Sequence, residues 1–237
     1  MECFIVQKEN IDLDQRVLTL VDDEAHHATR SLRIKTGESL LATDLSGTCY
    51  HCRVEHADLS TLTCSIEEIL PNFGEPKRDV LLIQGLIAQP SRWEFLLEKA
   101  TELGIRAIQP VTSERTERES FNQDRSERIL RAAVKQTKRA RMPELRELSS
   151  FNAALSEAIK EGRKLILLHE AADNASTLSR SQTSKDSLAI FVGPEGGFSD
   201  SEVESASKFG AEITSLGVRR LRAETAAIAA LAILIDH

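Results

Sequence analysis

Two stretches in the last third of the chain combine residue types that chemistry on a bound small molecule requires. The first is Gly193-Pro194-Glu195-Gly196-Gly197-Phe198. Its glycines permit backbone conformations and close approaches that side chains forbid, so a ligand could be held there by main-chain groups. A plain tight turn would use the same glycines. No Gly-Lys-Ser/Thr follows, which excludes a P-loop nucleotidase, and the G-x-G-x-x-G fingerprint of dinucleotide binding is absent. The second stretch is Leu216-Gly217-Val218-Arg219-Arg220-Leu221-Arg222, running on to Glu224 and Thr225 at the mouth of an apolar segment. Charges gathered at such a place serve a ligand or a partner, because burying them alone is costly. Capping and dipole pairing by Glu224 is the structural alternative. Leu168-His169-Glu170 closes an apolar run and forms a third candidate loop.

The elements that must position these loops are legible in the hydrophobic rhythm. Continuous apolar runs at VLLIQGLIA (80–88), IRAIQPV (105–111), KLILLHE (164–170), LAIFVG (188–193) and AEITSLG (211–217) predict buried parallel strands. Helices are predicted at 91–103, about 122–141, 151–162, 199–210 and 223–236, the first and fourth opened by capping boxes, Ser91 with Glu94 and Ser199 with Glu202. Strands alternating with helices imply an α/β fold, a parallel sheet with helices on both faces. Ligands of such sheets bind beyond the carboxyl ends of the strands, where all three loops fall. Before residue 72 the pattern differs. RVLTLV (16–21), ESLLATDL (38–45), CYHCRVEHA (49–57) and LTCSIEEIL (62–70) are short alternating runs split by turns, as in a small β-barrel. PNFGEPKRD (71–79) reads as a linker, giving two domains, 1–72 and 73–237; 173–187 is polar and reads as a surface loop.

Composition narrows the class. The chain has 237 residues, 41% hydrophobic and 28% charged, as a globular protein has. The amino terminus lacks a secretory pattern, and AAIAALAILI (226–235) is shorter than the roughly 18 residues of a membrane span. A cytoplasmic protein without membrane contact is expected. Cys49, Cys52, His56 and Cys64 invite a zinc reading, but strand alternation sends Cys49 and Cys52 to opposite faces, so no metal is expected. A net charge of −7 argues against nucleic acid until placement is considered. Arg125, Arg128, Arg131, Lys135, Lys138 and Arg139 recur at helical spacing; Arg30, Arg33 and Lys35 make a second patch, and Arg115 and Arg118 lie after a strand. A solvated helix face would look the same.

EKATELGI with PVTSERTER, GPEGGFS and LGVRRLRAETAAI resemble, in this order along the chain, the motifs of the RsmE family of ribosomal RNA methyltransferases within the SPOUT superfamily. HHATRSLRIKTGE (26–38) is similar to that family's PUA-like amino-terminal domain, so the resemblance spans essentially the whole chain. It departs at AAVKQTKRARMPEL (132–145): Gln136, Arg139 and Pro143 match, but Lys138 stands where the family places glycine.

The resemblance implies a PUA-like β-barrel followed by a SPOUT-like parallel sheet tied in a trefoil knot. It implies S-adenosyl-L-methionine as cofactor, N3 of a small-subunit (16S) rRNA uridine as target, and a homodimer built on the last helix. Its partner would be small-subunit ribosomal RNA or the assembled small subunit. Carried over, the cofactor pocket comprises Leu168, His169, Gly193, Pro194, Glu195, Gly196, Gly197, Leu216, Gly217, Leu221, Arg222, Glu224 and Thr225. Uridine N3 carries a proton, so its methylation needs a base or a cation that stabilises the uracil anion. Arg222 is the candidate cation; Glu224 or Glu195 would accept the proton or orient groups. Arg30, Arg33, Lys35, Arg115, Arg118, Arg128, Lys135, Lys138 and Arg139 are the candidate RNA contacts. The alternatives are a SPOUT methyltransferase acting on another RNA position, or an RNA-binding assembly protein without catalysis.

Overall fold

A computed structural model describes residues 1–170, 176–179 and 187–235. They divide into two compact units, 1–75 with 131–142, and 76–130 with 143–235. In the first, β1 (Cys3–Ile5), β2 (Ile11–Asp12), β3 (Val17–Val21), β4 (Ser39–Thr43), β5 (Thr48–Ala57) and β6 (Thr61–Pro71) form one sheet in the order β1-β4-β5-β6-β3-β2. All pairs are antiparallel except β1 with β4. The four alternating runs of the sequence thus became β3 to β6. Helix α1 (Asp22–His26) continues as a π-turn over His27–Ser31. Leu18, Leu20, Leu40, Tyr50, Cys52, Val54, Leu62 and Cys64 form the core, as period-two burial requires. Cys49 lies outside that cluster, its thiol directed to the Lys138 carbonyl at 3.9 Å, so Cys49 and Cys52 do take opposite faces. Burial pushes the Cys49 thiol up to about 11 and Cys64 to about 12, which keeps both protonated at neutral pH.

The second unit contains β7 (Asp79–Gly85), α2 (Pro90–Glu102), β8 (Ala107–Thr112), β9 (Glu144–Leu145), β10 (Ser149–Ser150), α4 (Phe151–Lys160), β11 (Lys164–Leu168), β12 (Ser176–Thr177), β13 (Ser187–Val192), α5 (Asp200–Lys208), β14 (Glu212–Ser215) and α6 (Ala223–Leu234); α3 (Gln123–Thr137) contributes residues to both units. Its sheet is wholly parallel, in the order β10-β8-β7-β13-β11-β14-β12, with β9 also on β8. Leu81, Ile83, Leu165, Leu167, Ala189 and Phe191 pack with Phe151, Leu155 and Ala158 of α4 and Ala206 of α5. The intervening Val80, Leu82, Ile166, Leu188 and Ile190 are equally buried and point to the opposite face, where α6 meets α2, β7 and β13. Burial on both faces explains why these strands read as continuous apolar runs.

Several local expectations change. Helix α2 begins one residue early, with Gln89 as N-cap and Pro90 at N1, a position that suits proline's fixed φ. Ser91 and Glu94 therefore form no capping box, whereas Ser199 and Glu202 form both of its bonds. Ser176–Thr177, expected within a polar loop, pair with Thr214–Ser215 as an edge strand; the rest of that loop except Leu178, Ser179 and Ser187 lies outside the described residues, as does Asp236 at the expected end of the last helix.

The segment 71–79 is not a free linker. Glu75 closes an ion pair with Arg139 at 2.6 Å and accepts the Arg141 N–H at 2.9 Å. Lys135 likewise binds both oxygens of Glu24, at 2.7 and 2.9 Å. Lys135 and Arg139, read from the sequence as RNA contacts, are therefore engaged within the amino-terminal unit, and Arg139 is buried. Helical spacing identified a basic face, but their partners lie 111 and 64 residues away, beyond any local pattern.

Lys138 ends α3 in the left-handed conformation, φ 58°. That conformation costs a residue with a Cβ about 1–2 kcal/mol, and glycine nothing. Glycine's greater freedom when unfolded returns about 0.5–1 kcal/mol of this. Lys138→Gly is accordingly expected to stabilise the protein by about 0.5 kcal/mol. Urea unfolding measures it, and a lower midpoint would show that the lysine side chain contributes more than its backbone costs.

Candidate active site

Strands β13, β11 and β14 are neighbours in the sheet and run parallel, so their carboxyl ends release three loops side by side. These are 193–199, 169–170 and 216–222, the three loops singled out in the sequence. They enclose a cavity of about 340 Å³. Its lining includes Leu168, His169, Gly193 to Gly197, Leu216, Gly217, Leu221 and Arg222, with Arg115, Arg219 and Arg220.

The glycines are required by distance as well as by conformation. A Cβ on Gly193 would lie 2.8 Å from the Gly197 Cα, and one on Gly85, at the end of β7, would overlap Pro194. Gly197 and Gly217 adopt φ of 69° and 100°, values that favour glycine. The Gly197 N–H donates to the Pro194 carbonyl at 2.9 Å, closing the turn. Beneath it, the buried Gln84 amide donates to the carbonyls of Gly85 and Gly193 at 3.0 and 3.2 Å. The loop is thus folded over the end of the sheet with main-chain groups toward the cavity.

Side chains from elsewhere complete the wall. Glu202 accepts the N–H of Ser199 at 2.8 Å and of Glu114 at 3.1 Å, so one carboxylate both caps α5 and fastens the loop after β8. Ser201 donates to Glu114 at 2.7 Å, and the serine hydroxyls hold the Glu114 carboxyl below its usual range. This places Arg115, whose guanidinium donates to the Gly196 carbonyl at 3.1 Å. Neither Glu202 nor Glu114 carried a signal in the sequence beyond the capping box.

Four arginines and two glutamates line the cavity. Arg220 pairs with Glu170 at 3.1 Å. Both oxygens of Glu195 accept the Ala88 N–H, at 3.1 and 3.3 Å. Arg222 is exposed and has no ion pair among the described residues, which leaves a cation available at the cavity. Glu224 and Thr225 do not join the lining. Thr225 is exposed on α6, and Glu224 is buried, with Oε1 3.8 Å from Arg92 Nε and Oε2 without a hydrogen bond. Helical geometry accounts for this: Ala223 and Ala226 face the cavity, and the two residues between them cannot.

Among the sequence-derived RNA contacts, Arg30, Arg33, Lys35 and Arg128 are exposed, and Lys138 is half-buried. Arg115 belongs to the cavity and Arg118 to a separate depression. Among the described residues no group of histidine, cysteine and carboxylate side chains has the makings of a metal site, and no helix is long and apolar enough to cross a membrane.

Gly193→Ala is expected to cost about 1–3 kcal/mol, the usual penalty for overpacking. Urea unfolding followed through the single tryptophan, Trp93 in the same unit, measures it. An unchanged midpoint would mean that the two arms of the loop are not in contact.

Residues 74–235 match the RNA methyltransferase domain, and residues 20–67 the RNA methyltransferase PUA domain. The chain is 30% identical over 231 residues to ribosomal RNA small subunit methyltransferase E of Mycobacterium bovis, covering 92% of this chain and 86% of that protein. The same enzyme of Neisseria gonorrhoeae, solved bound to S-adenosyl methionine, is similar with a TM-score of 0.83 and 26% identity over 98% of this chain and 95% of that one. A methyltransferase of Legionella pneumophila, in complex with the same cofactor, gives 0.80 and 28% over 98% and 96%. With a glycine-walled cavity at the ends of three parallel strands and a PUA domain ahead of it, the chain belongs to the RsmE family of ribosomal RNA small subunit methyltransferases.

Proposed function

We propose that the protein transfers a methyl group from S-adenosyl-L-methionine to N3 of a uridine in small-subunit (16S) ribosomal RNA. The observation that carries this is the cavity itself, lined by two glycine-bearing loops and by two exposed guanidiniums without an ion pair among the described residues, Arg219 and Arg222, the latter at the N-cap of α6. The residues fit the cofactor. Main-chain groups of Gly193–Gly197 and Leu216–Gly217 suit the adenine and ribose, which need hydrogen bonds at close approach. Leu168, His169 and Leu221 complete the wall, and a cavity of about 340 Å³ lies in the range of small-molecule sites.

When bound, the cofactor supplies an electrophilic methyl on a sulfonium. The chain's own task is alignment and charge control. Loss of the N3 proton leaves a negative charge on the uracil ring, and the Arg222 guanidinium stabilises it while the new N–C bond forms. Glu195 lines the cavity and is exposed, and the one Ala88 N–H shared between its oxygens leaves acceptor lone pairs free, so it can orient groups or accept a proton. Glu224 ties the start of α6 to Arg92 of α2, which holds Arg222 at its N-cap position. Glu224 stands outside the cavity wall, so of the two carboxylates Glu195 is the one placed to accept the N3 proton. Arg30, Arg33, Lys35, Arg115, Arg118, Arg128 and Lys138 supply RNA contacts.

Two further features belong to this reading. On α6, Thr225, Ala229 and Ala232 recur on one face that is exposed or half-buried, while Ala223, Ala227, Ala230, Leu231 and Leu234 are buried. That open apolar face suits a homodimer. The chain also places β13 between β7 and β11, passes to β14 on the far side, then returns through α6 to β7 and α2. This path suits the trefoil knot of the SPOUT superfamily. A cytoplasmic location follows from a ribosomal substrate.

Arg222→Ala is expected to lower methylation about 10²–10³-fold, the usual loss of an oxyanion-stabilising donor, with the fold retained. Wild-type methylation of free RNA and of assembled small subunits, with the product mapped by mass spectrometry, tests the assignment. A product other than N3-methyluridine would sink it.

A further inference from the structure

We propose that a second cavity, at the start of α2, binds a phosphodiester of the RNA strand that carries the target nucleotide; this rests on the methyltransferase reading above. The cavity has a volume of about 540 Å³ and is lined in part by Gln89, Ser91, Arg118, Asn122 and Arg125. Its floor is rigid. Trp93, 2% exposed, donates from Nε1 to Ser126 Oγ at 3.1 Å, and Ser126 in turn donates to the Asn122 carbonyl at 2.9 Å.

The charge selects an anion. Arg125 donates to Glu94 at 2.8 Å, so that pair is neutral. Arg118 makes no ion pair or hydrogen bond among the described residues, leaving two guanidiniums against one carboxylate. The amino-terminal end of α2, a 13-residue helix, opens into the same space. Gln89 caps it without a side-chain bond, Pro90 has no N–H, and the Ser91 N–H has no acceptor among the described residues. The Arg92 and Trp93 N–H groups both donate to the Gln89 carbonyl, so the Ser91 N–H is the one this helix start offers an anion, and the Arg118 guanidinium beside it matches paired phosphate oxygens. The amides of Gln89 and Asn122 add hydrogen-bond donors beside them. An uncharged base edge would leave Arg118 without a counter-charge.

Position ties this cavity to the strand under reaction. The Ala88 N–H binds Glu195 of the first cavity's glycine loop, and the next residue, Gln89, lines the second. Arg115 lines the first and Arg118, three residues on, lines the second. A chain segment seated in one cavity is therefore led to the other by the same two loops. Contacts of this kind fix register on the strand without reading its sequence.

The test is Arg118→Ala, with Arg118→Lys and Arg118→Glu, in the full chain. Equilibrium binding to a small-subunit ribosomal RNA fragment is read at several salt concentrations, separately from methyl transfer. The alanine variant should bind RNA about five- to tenfold more weakly, and the slope of log affinity against log salt should fall by about 0.7–0.9. Lysine should restore most of the affinity and the slope, glutamate should weaken binding further, and S-adenosyl-L-methionine affinity should be unchanged in all three. Unaltered RNA affinity and slope in the alanine variant would overturn the proposal, as would a loss with no change in salt slope. Wild-type protein that binds RNA but not S-adenosyl-L-methionine would overturn the methyltransferase reading, while the Arg118 series would still decide the subsite.

Discussion

The adjacency of β13, β11 and β14 is the constraint on which the site depends. Parallel strands all release their chains at one edge of the sheet, so three neighbours present three loops within reach of one another. The loop after β13 closes on itself and on the end of β7 only because glycine stands where they touch. At Gly85 and Gly193 a single added carbon would meet backbone or a proline ring. The cavity is therefore a product of strand order and of absent side chains, and its walls offer main-chain groups where most pockets offer side chains.

Around that frame the charges divide into those engaged and those available. Glu202 fastens two loops, Glu195 holds the entrance to α2, Glu75 and Glu24 neutralise Arg139 and Lys135, and Glu94 neutralises Arg125. Among the cations without an ion pair, Arg219 and Arg222 at one cavity and Arg118 at the other are placed where an anion or a developing negative charge can be met. A net charge of −7 is compatible with an RNA substrate for this reason, since what a phosphate meets is the local placement of unpaired cations and not the total.

The family resemblance and the physical reading support each other at Lys138. The resemblance leads one to expect glycine there, and the backbone adopts the left-handed conformation that glycine favours. The departure from the motif is thus a local strain at the end of α3 and leaves the course of the chain unchanged.

The sequence by itself determined which segments become strands and helices and which loops carry the site. Apolar runs buried on both faces and alternating runs buried on one are signals contained within a few residues. The glycine loop and the arginine cluster were equally visible, because glycines and charges at strand and helix ends are local facts. Only the tertiary structure decided strand order, the edge pairing of Ser176–Thr177, and which cations remain free. It also removed Glu224 and Thr225 from the cavity wall, since a helix's rotation is set by its packing against α2 and the sheet. Partners 64 to 111 residues apart leave no trace in a local pattern, and a charge cannot be judged available until every chain segment that could reach it is in place.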